Sequence, residues 1–410
     1  MVKSPLKPTV IPLLFGCYTQ EVEKEAFMKK IGTHEKGIEL MKKKGSHLGF
    51  YIKNLRSAAA LIIKQEAIGV GCDLAIPQEV LVHSKDYVDA LLVGDLRGYE
   101  RLLSHLEIQR WFDIDKVVEQ MRSKMNRMFS QKFHIADRVY DLSKDFLVMA
   151  VVNVTPDSFY EGSRMDIEKA LEWAESVKDS VDIFDIGAES TRPGASEVSE
   201  EEEIRRLEPV VKEFVKAGYV VSCDTRKWKV AQKCLEWGAH MINDVSGLRD
   251  ENMRKVIADY GASCCIMHMK GEPATMQDNP EYEDCIGEIY AFLEEMYEKA
   301  SDAGIDTQKI CVDPGIGFGK KLYHNLVLMA YVSSFSSIAP VLIGVSRKSF
   351  IRDVTSEEDP EKRLPGTLAA ISLCYSRGAR IFRVHDPTEA KQALEIARAI
   401  YYWQDYRPQD

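Results

Sequence analysis

The feature that most constrains this chain is a repeat of short, apolar, β-rich segments in its C-terminal part. Eight such segments follow one another between residues 146 and 405, and a segment with helical periodicity comes after each of them. Eight strand-then-helix units in this length predict a (β/α)8 TIM barrel, whose site is built at the carboxyl ends of its strands. The segments end at Asn153, Thr191, Thr225, Gly247, Lys270, Gly315, Lys348 and Asp386.

The first 140 residues are predicted to form a smaller α/β domain that precedes the barrel. Helix-like segments cover residues 54–67, 96–106 and 115–128, and strand-like runs cover 74–82, which contains a proline, and 90–95. The histidines of this domain are too dispersed to suggest metal ligands. We assign it no chemistry, and we expect a fragment that begins near Lys144 to fold alone and retain activity.

Composition and charge argue against several classes of protein. The chain has 410 residues, of which 45% are hydrophobic and 29% charged, and this suits two globular domains. Its net charge of −10 is carried by the barrel segment, which disfavours nucleic-acid binding. Nine scattered cysteines without a CxxC pair are typical of reduced thiols, and neither a long apolar run nor a leader is visible. We therefore expect a cytoplasmic protein without nucleic-acid or membrane partners.

The sequence ICVDPGIGFGK at residues 310–320 marks the predicted site most clearly. Its apolar run stops at Asp313, which places this carboxylate at the end of a buried strand. The glycines that follow would let the backbone approach a ligand closely. An ordinary glycine-rich turn with a helix cap is the alternative, and polar residues at the other strand ends disfavour it. These glycines are Gly315, Gly317 and Gly319.

Polar side chains at the strand ends fall into two chemical groups. The first could hydrogen-bond the edge of a flat heterocycle and consists of Asp224, Asn243, Asp313 and Lys348. The second suits a phosphate or pyrophosphate with Mg²⁺ and consists of Arg192, Arg383 and His385, with Asn153 as a neutral metal ligand. We expect Arg383 to act on pyrophosphate and to leave the binding of the ring unaffected.

Other polar or apolar residues near the strand ends have structural explanations of equal or greater weight. Asp185 and Asp244 are more typical of carboxylates that brace neighbouring loops. His268 fits a core histidine as well as a site residue. Met267 fits packing, or an apolar floor under a ring.

The chain resembles the motif series of the dihydropteroate synthases. The motifs that carry the resemblance are NVTPDSF, DIGAESTRPGA, CDTRKWKVA, INDVSGL, MHMKGEPATMQ, DPGIGFGK, SRKSF, GTLAA and RVHD. They span the whole barrel in order, and they do not extend into the first 140 residues. The resemblance implies an enzyme that joins 6-hydroxymethyl-7,8-dihydropterin pyrophosphate to 4-aminobenzoate and releases pyrophosphate with Mg²⁺ present, on a barrel that is usually a homodimer.

The resemblance also implies a role for each matching residue. The heterocycle group would hold the pterin, the second group would hold the metal pyrophosphate, and Thr191, Phe318 and Ser349 would border the aminobenzoate. The expected catalytic residues are Asp224, Asp313, Lys348, Arg383 and His385. The expected substrate-binding residues are Asn243, Met267, Thr191, Arg192, Phe318, Ser349, Asp157 and Asp185, and Asn153 is the expected metal ligand.

Two loops depart from the family pattern. Residues 160–163 read Tyr-Glu-Gly-Ser where the family commonly has Ser-Asp-Gly-Gly, and Ala188 stands where a glycine is usual. A pterin-dependent methyltransferase, with a similar pterin set, and an inactive pterin-binding module are the alternatives. The SRKS and RVHD motifs favour the synthase.

Overall fold

The computed structural model describes residues 9–14, 35–36, 47–154, 164–189, 198–271, 275–277 and 279–406. The chain divides into two compact units, one formed by Met1–Phe129 with Tyr401–Asp410 and the other by Ser130–Ile400. Within the described ranges, no helix combines the length and the apolar character that crossing a membrane requires.

The first unit contains a four-stranded antiparallel sheet in the order β1-β2-β4-β3. Its strands are β1 Thr9–Leu14, β2 His47–Arg56, β3 Asp73–Ala75 and β4 Tyr87–Asp95. Its helices are α1 Ser57–Gly69, α2 Gln78–Leu81, α3 Leu96–Leu106 and α4 Ile114–Phe129. The helix predicted from residue 54 begins three residues later, because β2 continues to Arg56.

Alternation along β4 explains how this sheet buries one face. Val88, Ala90 and Leu92 are buried and point to the same side, where the apolar face of α3 packs with Tyr99. The Tyr99 hydroxyl is buried too; it donates to the carbonyl of Leu48 and lies 3.2 Å from the carbonyl oxygen of Leu92 on the next strand. The helix and the sheet are therefore joined by a hydrogen bond as well as by apolar contact.

The second unit begins with an antiparallel hairpin, β5 Lys132–Ile135 and β6 Arg138–Asp141, and continues into a closed barrel of eight parallel strands. The barrel strands are β7 Leu147–Asn153, β8 Ile183–Gly187, β9 Val221–Asp224, β10 Met241–Asp244, β11 Ser263–Met267, β12 Ile310–Asp313, β13 Val341–Ile343 and β14 Ala379–Val384. The TIM barrel predicted from eight apolar segments is confirmed, in the predicted order.

Helices cover the outside of the barrel between its strands. They are α5 Arg164–Val177, α6 Glu200–Lys216, α7 Trp228–Glu236, α8 Glu251–Tyr260, α9 Cys285–Asp302, α10 Leu322–Ala330, α11 Ser349–Thr355, α12 Leu364–Ser376 and α13 Pro387–Tyr401. Helix α6 begins with a side-chain cap, because the Ser199 hydroxyl accepts from the backbone N–H of Glu202 at 3.2 Å.

The β5–β6 hairpin packs under the amino-terminal end of the barrel. Phe133 and Ile135 are fully buried in one apolar cluster with residues at the starts of the strands. The buried Arg380 guanidinium of β14 also donates to the Leu142 carbonyl at 2.9 Å. The compact unit therefore starts at Ser130, whereas the sequence placed the domain boundary near residue 140.

Two fragments test where the barrel unit begins. A chain of residues 130–400 keeps the hairpin, and one of residues 144–400 lacks it. Burial of Phe133 and of Ile135 stabilises the longer fragment by about 1.5–3 kcal/mol each. Because the shorter fragment lacks both residues, its free energy of unfolding should be lower by about 3–6 kcal/mol. Urea unfolding measures this difference, and equal midpoints for the two fragments would show that the hairpin is dispensable.

Candidate active site

A pocket with about 430 Å³ of empty volume opens at the carboxyl ends of the barrel strands. In a (β/α)8 barrel, this end is where small-molecule sites lie. The predicted residues that line it are Asp224, Asn243, Met267, Asp313, Phe318, Lys348, Arg383 and His385. Val151, Val245, Gly344 and Ser346 complete the lining.

The parallel register of the strands brings the polar residues together. Asn243 on β10 is paired with Asp224 on β9, and Met267 on β11 is paired with Asp313 on β12. Asp224, Asn243 and Asp313 are all buried among the strand ends. The short strands end at or next to these residues, so their polar side chains face the pocket rather than the barrel core.

A half-buried guanidinium links several of these groups. Arg383 Nε lies 2.6 Å from Asp185 Oδ2, and Arg383 Nη2 lies 2.8 Å from Asp224 Oδ2. Asn243 Nδ2 donates to the same Asp185 oxygen at 3.1 Å. Asp185 is fully buried and does not line the pocket, so it positions Arg383 and Asn243 and has no surface to offer a substrate.

The ion pairs change the division of the site that the sequence predicted. Arg383 was assigned to the pyrophosphate group and Asp224 to the ring group, yet the two side chains are hydrogen-bonded. Burial raises the pKa of Asp224 to about 7, against the opposing effect of Arg383. Burial lowers the pKa of Arg383, but the two carboxylates outweigh it and the pKa is raised, so Arg383 remains a cation. The two groups are therefore electrostatically coupled.

Asp313 and Lys348 face each other across the pocket. The Asp313 carboxylate accepts from the backbone N–H of Gly315 at 2.7 Å, and burial raises its pKa. The Lys348 ammonium donates to the Ile316 carbonyl and lies 4.6 Å from the centroid of the Phe318 ring. Burial lowers the pKa of Lys348 to about 8, so both the ammonium and the neutral amine are populated near neutral pH. Both forms carry N–H groups and can donate a hydrogen bond.

Two of the three glycines in the loop after β12 serve the packing of loops. At Gly315, with φ +71°, a Cβ would lie 1.9 Å from the His268 carbonyl oxygen, and at Gly319, with φ +63°, 2.4 Å from the Lys270 carbonyl oxygen. Neither position could hold another residue without moving backbone. The sequence predicts that these glycines approach a ligand, but Gly315 and Gly319 approach the loop that follows β11.

Lys320 is a buried residue of this region whose role the sequence does not indicate. Its ammonium donates to the Phe318 carbonyl at 2.9 Å and to the His268 carbonyl at 3.3 Å, and it lies 3.1 Å from His268 Nδ1. It therefore ties the loop after β12 to the loop after β11. Burial lowers the pKa of Lys320 to about 7 and that of His268 to about 2, so His268 is a neutral core histidine.

One wall of the pocket is apolar. Val245, Met267, Met269 and Met276 form a buried cluster, and Phe318 packs against it. Met267 also lines the pocket, so it provides an apolar surface for a ring. The wall lies beside the polar strand ends, as recognition of a flat heterocycle requires.

A clamp of opposite charges joins the loops after β13 and β14. Arg347 Nη2 lies 2.5 Å from Asp386 Oδ1, and Arg347 Nε donates to Asp386 Oδ2 at 3.1 Å. Each residue is a neighbour in sequence of a predicted site residue, Lys348 and His385. Both stand in the SRK and RVHD motifs, but spacing alone gave no sign that they pair.

The remaining predicted residues lie outside the pocket lining or outside the described residues. Asn153 is exposed at the end of β7, and Ser349 is exposed at the start of α11. Asp244 is fully buried and accepts from the backbone N–H groups of Ser246 and Leu248, which makes it a loop brace. The positions outside the described residues are Asp157, Thr191, Arg192 and the departure at 160–163.

The comparisons with known proteins agree with this geometry. The family model described as pterin binding enzyme matches residues 149–385. A dihydropteroate synthase of Neisseria meningitidis serogroup B is 42% identical, over 62% of this chain and 92% of its own length. A protein of Helicobacter pylori named as a bifunctional dihydropteroate synthase/dihydropteroate reductase is 33% identical, over 91% of this chain and 95% of its own.

Solved structures give the same result for the barrel. A Yersinia pestis dihydropteroate synthase with a sulfonamide drug complex is 38% identical, with a TM-score of 0.62, and the match covers 66% of this chain and 99% of that one. The Thermus thermophilus synthase in complex with 4-aminobenzoate is 39% identical, with a TM-score of 0.60, and the match covers 66% and 100% of the two chains. The chain therefore belongs to the pterin-binding enzymes. Within them it is a member of the dihydropteroate synthase family, with an additional N-terminal unit.

Because Arg383 and Asp224 are coupled, loss of Arg383 should affect the binding of the pterin ring. Arg383→Ala should weaken binding of a bare pterin, without phosphates, by at least about tenfold, because it leaves two buried carboxylates without their cation. His385→Ala is the matched variant and should weaken binding of pyrophosphate only. Calorimetry with each ligand measures both effects. If Arg383→Ala binds bare pterin as tightly as the wild type does, Arg383 acts on pyrophosphate only.

The raised pKa of Asp224 makes a prediction about pH. The carboxylate accepts from pterin N–H groups when it is ionised, and with a pKa of about 7 it gains a proton as the pH falls. Bare-pterin affinity should therefore fall about tenfold between about pH 8 and about pH 6. In Asp224→Asn, affinity should be low and should lose most of this pH dependence, and the remainder would come from Lys348 and Asp313. A wild-type affinity that stays constant from pH 8 to pH 6 would contradict the assignment.

Proposed function

We propose that the barrel condenses 6-hydroxymethyl-7,8-dihydropterin pyrophosphate with 4-aminobenzoate, giving 7,8-dihydropteroate and pyrophosphate in folate biosynthesis. The observation that carries this function is the convergence of Asp224, Asn243, Asp313, Lys348 and Arg383 on one pocket with an apolar wall. The Thermus thermophilus relative has been solved in separate complexes with 4-aminobenzoate and with 6HMPPP.

The buried strand ends would recognise the pterin. Asp224 and Asp313 would accept from its N–H groups, Asn243 can both donate and accept, and Lys348 would donate to a ring acceptor. The ring would lie against Met267 and the apolar wall. Burial makes each of these hydrogen bonds selective, because an analogue that lacks one partner leaves a polar group unpaired.

Departure of pyrophosphate would be the step that the cationic residues assist. The bond between the exocyclic methylene carbon and the ester oxygen breaks, the electron pair leaves with pyrophosphate, and the remaining cation is delocalised into the pterin. Arg383 and His385 would stabilise the growing negative charge on the oxygens. The carboxylates of Asp224 and Asp313 would stabilise the electron-poor ring at the same time.

Capture by the second substrate completes the reaction. The amine of 4-aminobenzoate donates its lone pair to the methylene carbon, a carbon–nitrogen bond forms, and the nitrogen then loses a proton to water. Aryl amines are weak bases, so the amine is unprotonated near neutral pH and needs no catalytic base to release its lone pair. Phe318 lines the pocket, where it would border the aminobenzoate ring.

Mg²⁺ is the cofactor we propose, bound largely through the substrate. Among the described residues, no group of three or more His, Cys, Asp or Glu side chains could hold a metal. Mg²⁺ keeps several waters and binds through one or two protein oxygens plus substrate phosphates, so this donor set fits it. Asn153, exposed at the end of β7, would supply one neutral oxygen. When bound, the ion neutralises charge on the leaving pyrophosphate.

A homodimer is the proposed assembly. Tyr323, Leu326, Val354 and Leu373 are each at least 42% exposed, and they lie on the consecutive helices α10, α11 and α12. Several large apolar side chains on neighbouring helices are typical of a surface that another subunit covers. We also propose a cytoplasmic location, in keeping with the free thiols of the described cysteines.

A second activity is favoured by one comparison. The Helicobacter pylori relative that matches both units is named as a reductase of dihydropteroate as well as a synthase. We propose that this chain can also reduce 7,8-dihydropteroate, with a hydride from a reduced nicotinamide or flavin added to C6 and a proton to N5. Oxidation of the reduced cofactor by the whole chain, dependent on dihydropteroate, tests this, and the 130–400 fragment shows whether the N-terminal unit is needed.

The synthase assay is pyrophosphate release by the purified chain. Release should require both the pterin pyrophosphate and 4-aminobenzoate, and Asp313→Asn should reduce it at least about tenfold, because its new amide would donate toward pterin donors. Removing divalent cations with a chelator should stop release while bare-pterin binding persists. Pterin binding without any turnover would indicate the inactive module instead.

The dimer is tested by sedimentation velocity. The double variant Val354→Glu/Leu373→Glu places charges on the proposed surface and should sediment as a monomer. Ile396→Glu on α13, where the wild-type residue is 59% exposed, is the matched control and should sediment like the wild type. A monomeric wild-type chain at micromolar concentration would overturn the proposal.

A further inference from the structure

Ser346 makes two contacts with one residue of the site. It lies in the turn after β13, its side chain is buried, and it lines the same pocket as His385. Its Oγ is 3.0 Å from His385 Nδ1 and 3.3 Å from the backbone nitrogen of His385. Ser346 is the first residue of the SRKSF motif, and the motif alone does not indicate its role.

The two contacts define where the hydroxyl proton goes. A backbone N–H can only donate, so Ser346 Oγ accepts from the nitrogen of His385. The hydroxyl proton then needs an acceptor of its own, and among the described residues His385 Nδ1 is the acceptor within reach. If Nδ1 carried a proton, Oγ would accept twice, and a buried hydroxyl proton would be left without a partner.

We propose that Ser346 holds His385 as the neutral tautomer with its proton on Nε2, so that Nε2 donates to the departing pyrophosphate. This rests on the proposed synthase function. Ser346 is then a positioning residue, because it acts on the leaving group only through the imidazole. The tautomer of a histidine is set by the hydrogen bond that its other nitrogen makes, and here that bond comes from a serine hydroxyl.

The ion pair of Arg347 with Asp386 holds Ser346 and His385 next to each other. Arg347 follows Ser346 and Asp386 follows His385, and the two-bond contact between Arg347 and Asp386 fixes the distance between their loops. The Arg347 backbone is held as well, at φ +58°, by a hydrogen bond from its N–H to Thr367 Oγ1 at 3.0 Å. The Ser346–His385 hydrogen bond is thus formed before substrate arrives, which is the property that a preorganised donor needs.

The direct test is the nitrogen spectrum of the full chain with labelled histidine, recorded without substrate at about pH 8, well above the usual histidine pKa. The His385 signals are identified as those lost in His385→Gln. His240 is an internal reference, because its Nδ1 lies 3.1 Å from the backbone nitrogen of Val221 and must therefore be the acceptor. We expect His385 to show the same pattern, an unprotonated Nδ1 and a protonated Nε2. A protonated Nδ1 would overturn the proposal, whether or not the chain is a synthase.

Two substitutions separate positioning from packing. Ser346→Ala removes the hydroxyl, so the His385 signals should change to a mixture of tautomers. The turnover number should then fall at least about tenfold while bare-pterin affinity stays as in the wild type. Ser346→Thr keeps a hydroxyl and should restore the wild-type signals and most of the turnover.

The outcomes of these variants are decisive in both directions. Wild-type tautomer signals in Ser346→Ala would show that something else sets the proton, and would overturn the proposal. If Ser346→Ala does not fold, the spectra of the wild type and of Ser346→Thr still decide, because both must show the protonated Nε2. A tautomer as expected in a chain that releases no pyrophosphate would leave the positioning of His385 intact and remove the synthase function.

Discussion

The site depends on the contact of the half-buried Arg383 with the buried carboxylates of Asp185 and Asp224. Two carboxylates on neighbouring strands would repel each other in a medium of low dielectric constant, and a guanidinium between them makes their burial tolerable. Asp185 in turn fixes the amide of Asn243. Four strands of the barrel thus contribute to one network, and a substrate that binds to any part of it changes the electrostatics of the rest.

This coupling suits the reaction. As pyrophosphate leaves, negative charge grows on one side of the breaking bond and positive charge on the other, and both must be stabilised in the same step. A site with separate anion and ring subsites would stabilise each half alone. Here Arg383, which would bind the phosphate, is also the ion-pair partner of Asp224, which would bind the ring. The negative and the positive charge that develop are therefore stabilised by one coupled pair.

The fold was predictable because the repeat of apolar segments and the residue at which each strand ends can both be identified from short stretches of sequence. Apolar runs such as 310–312 stop at a polar residue, and in a barrel every such stop lies at the same rim. Contacts between distant segments were not predictable in this way. The hairpin was assigned to the wrong side of the boundary, because the partners of Phe133 are the starts of strands far along the chain. The pairing of Arg347 with Asp386 and the brace formed by Lys320 were missed for the same reason.

The loops after β11 and β12 meet through glycine and carbonyl contacts that leave no room for a Cβ. Substitutions on either loop are therefore constrained by the backbone of the other, and the two loops must vary together. An inhibitor that relied on an exposed side chain could lose its target through a single base change. One that lay against these two backbones would contact a surface that the chain cannot easily alter while still folding.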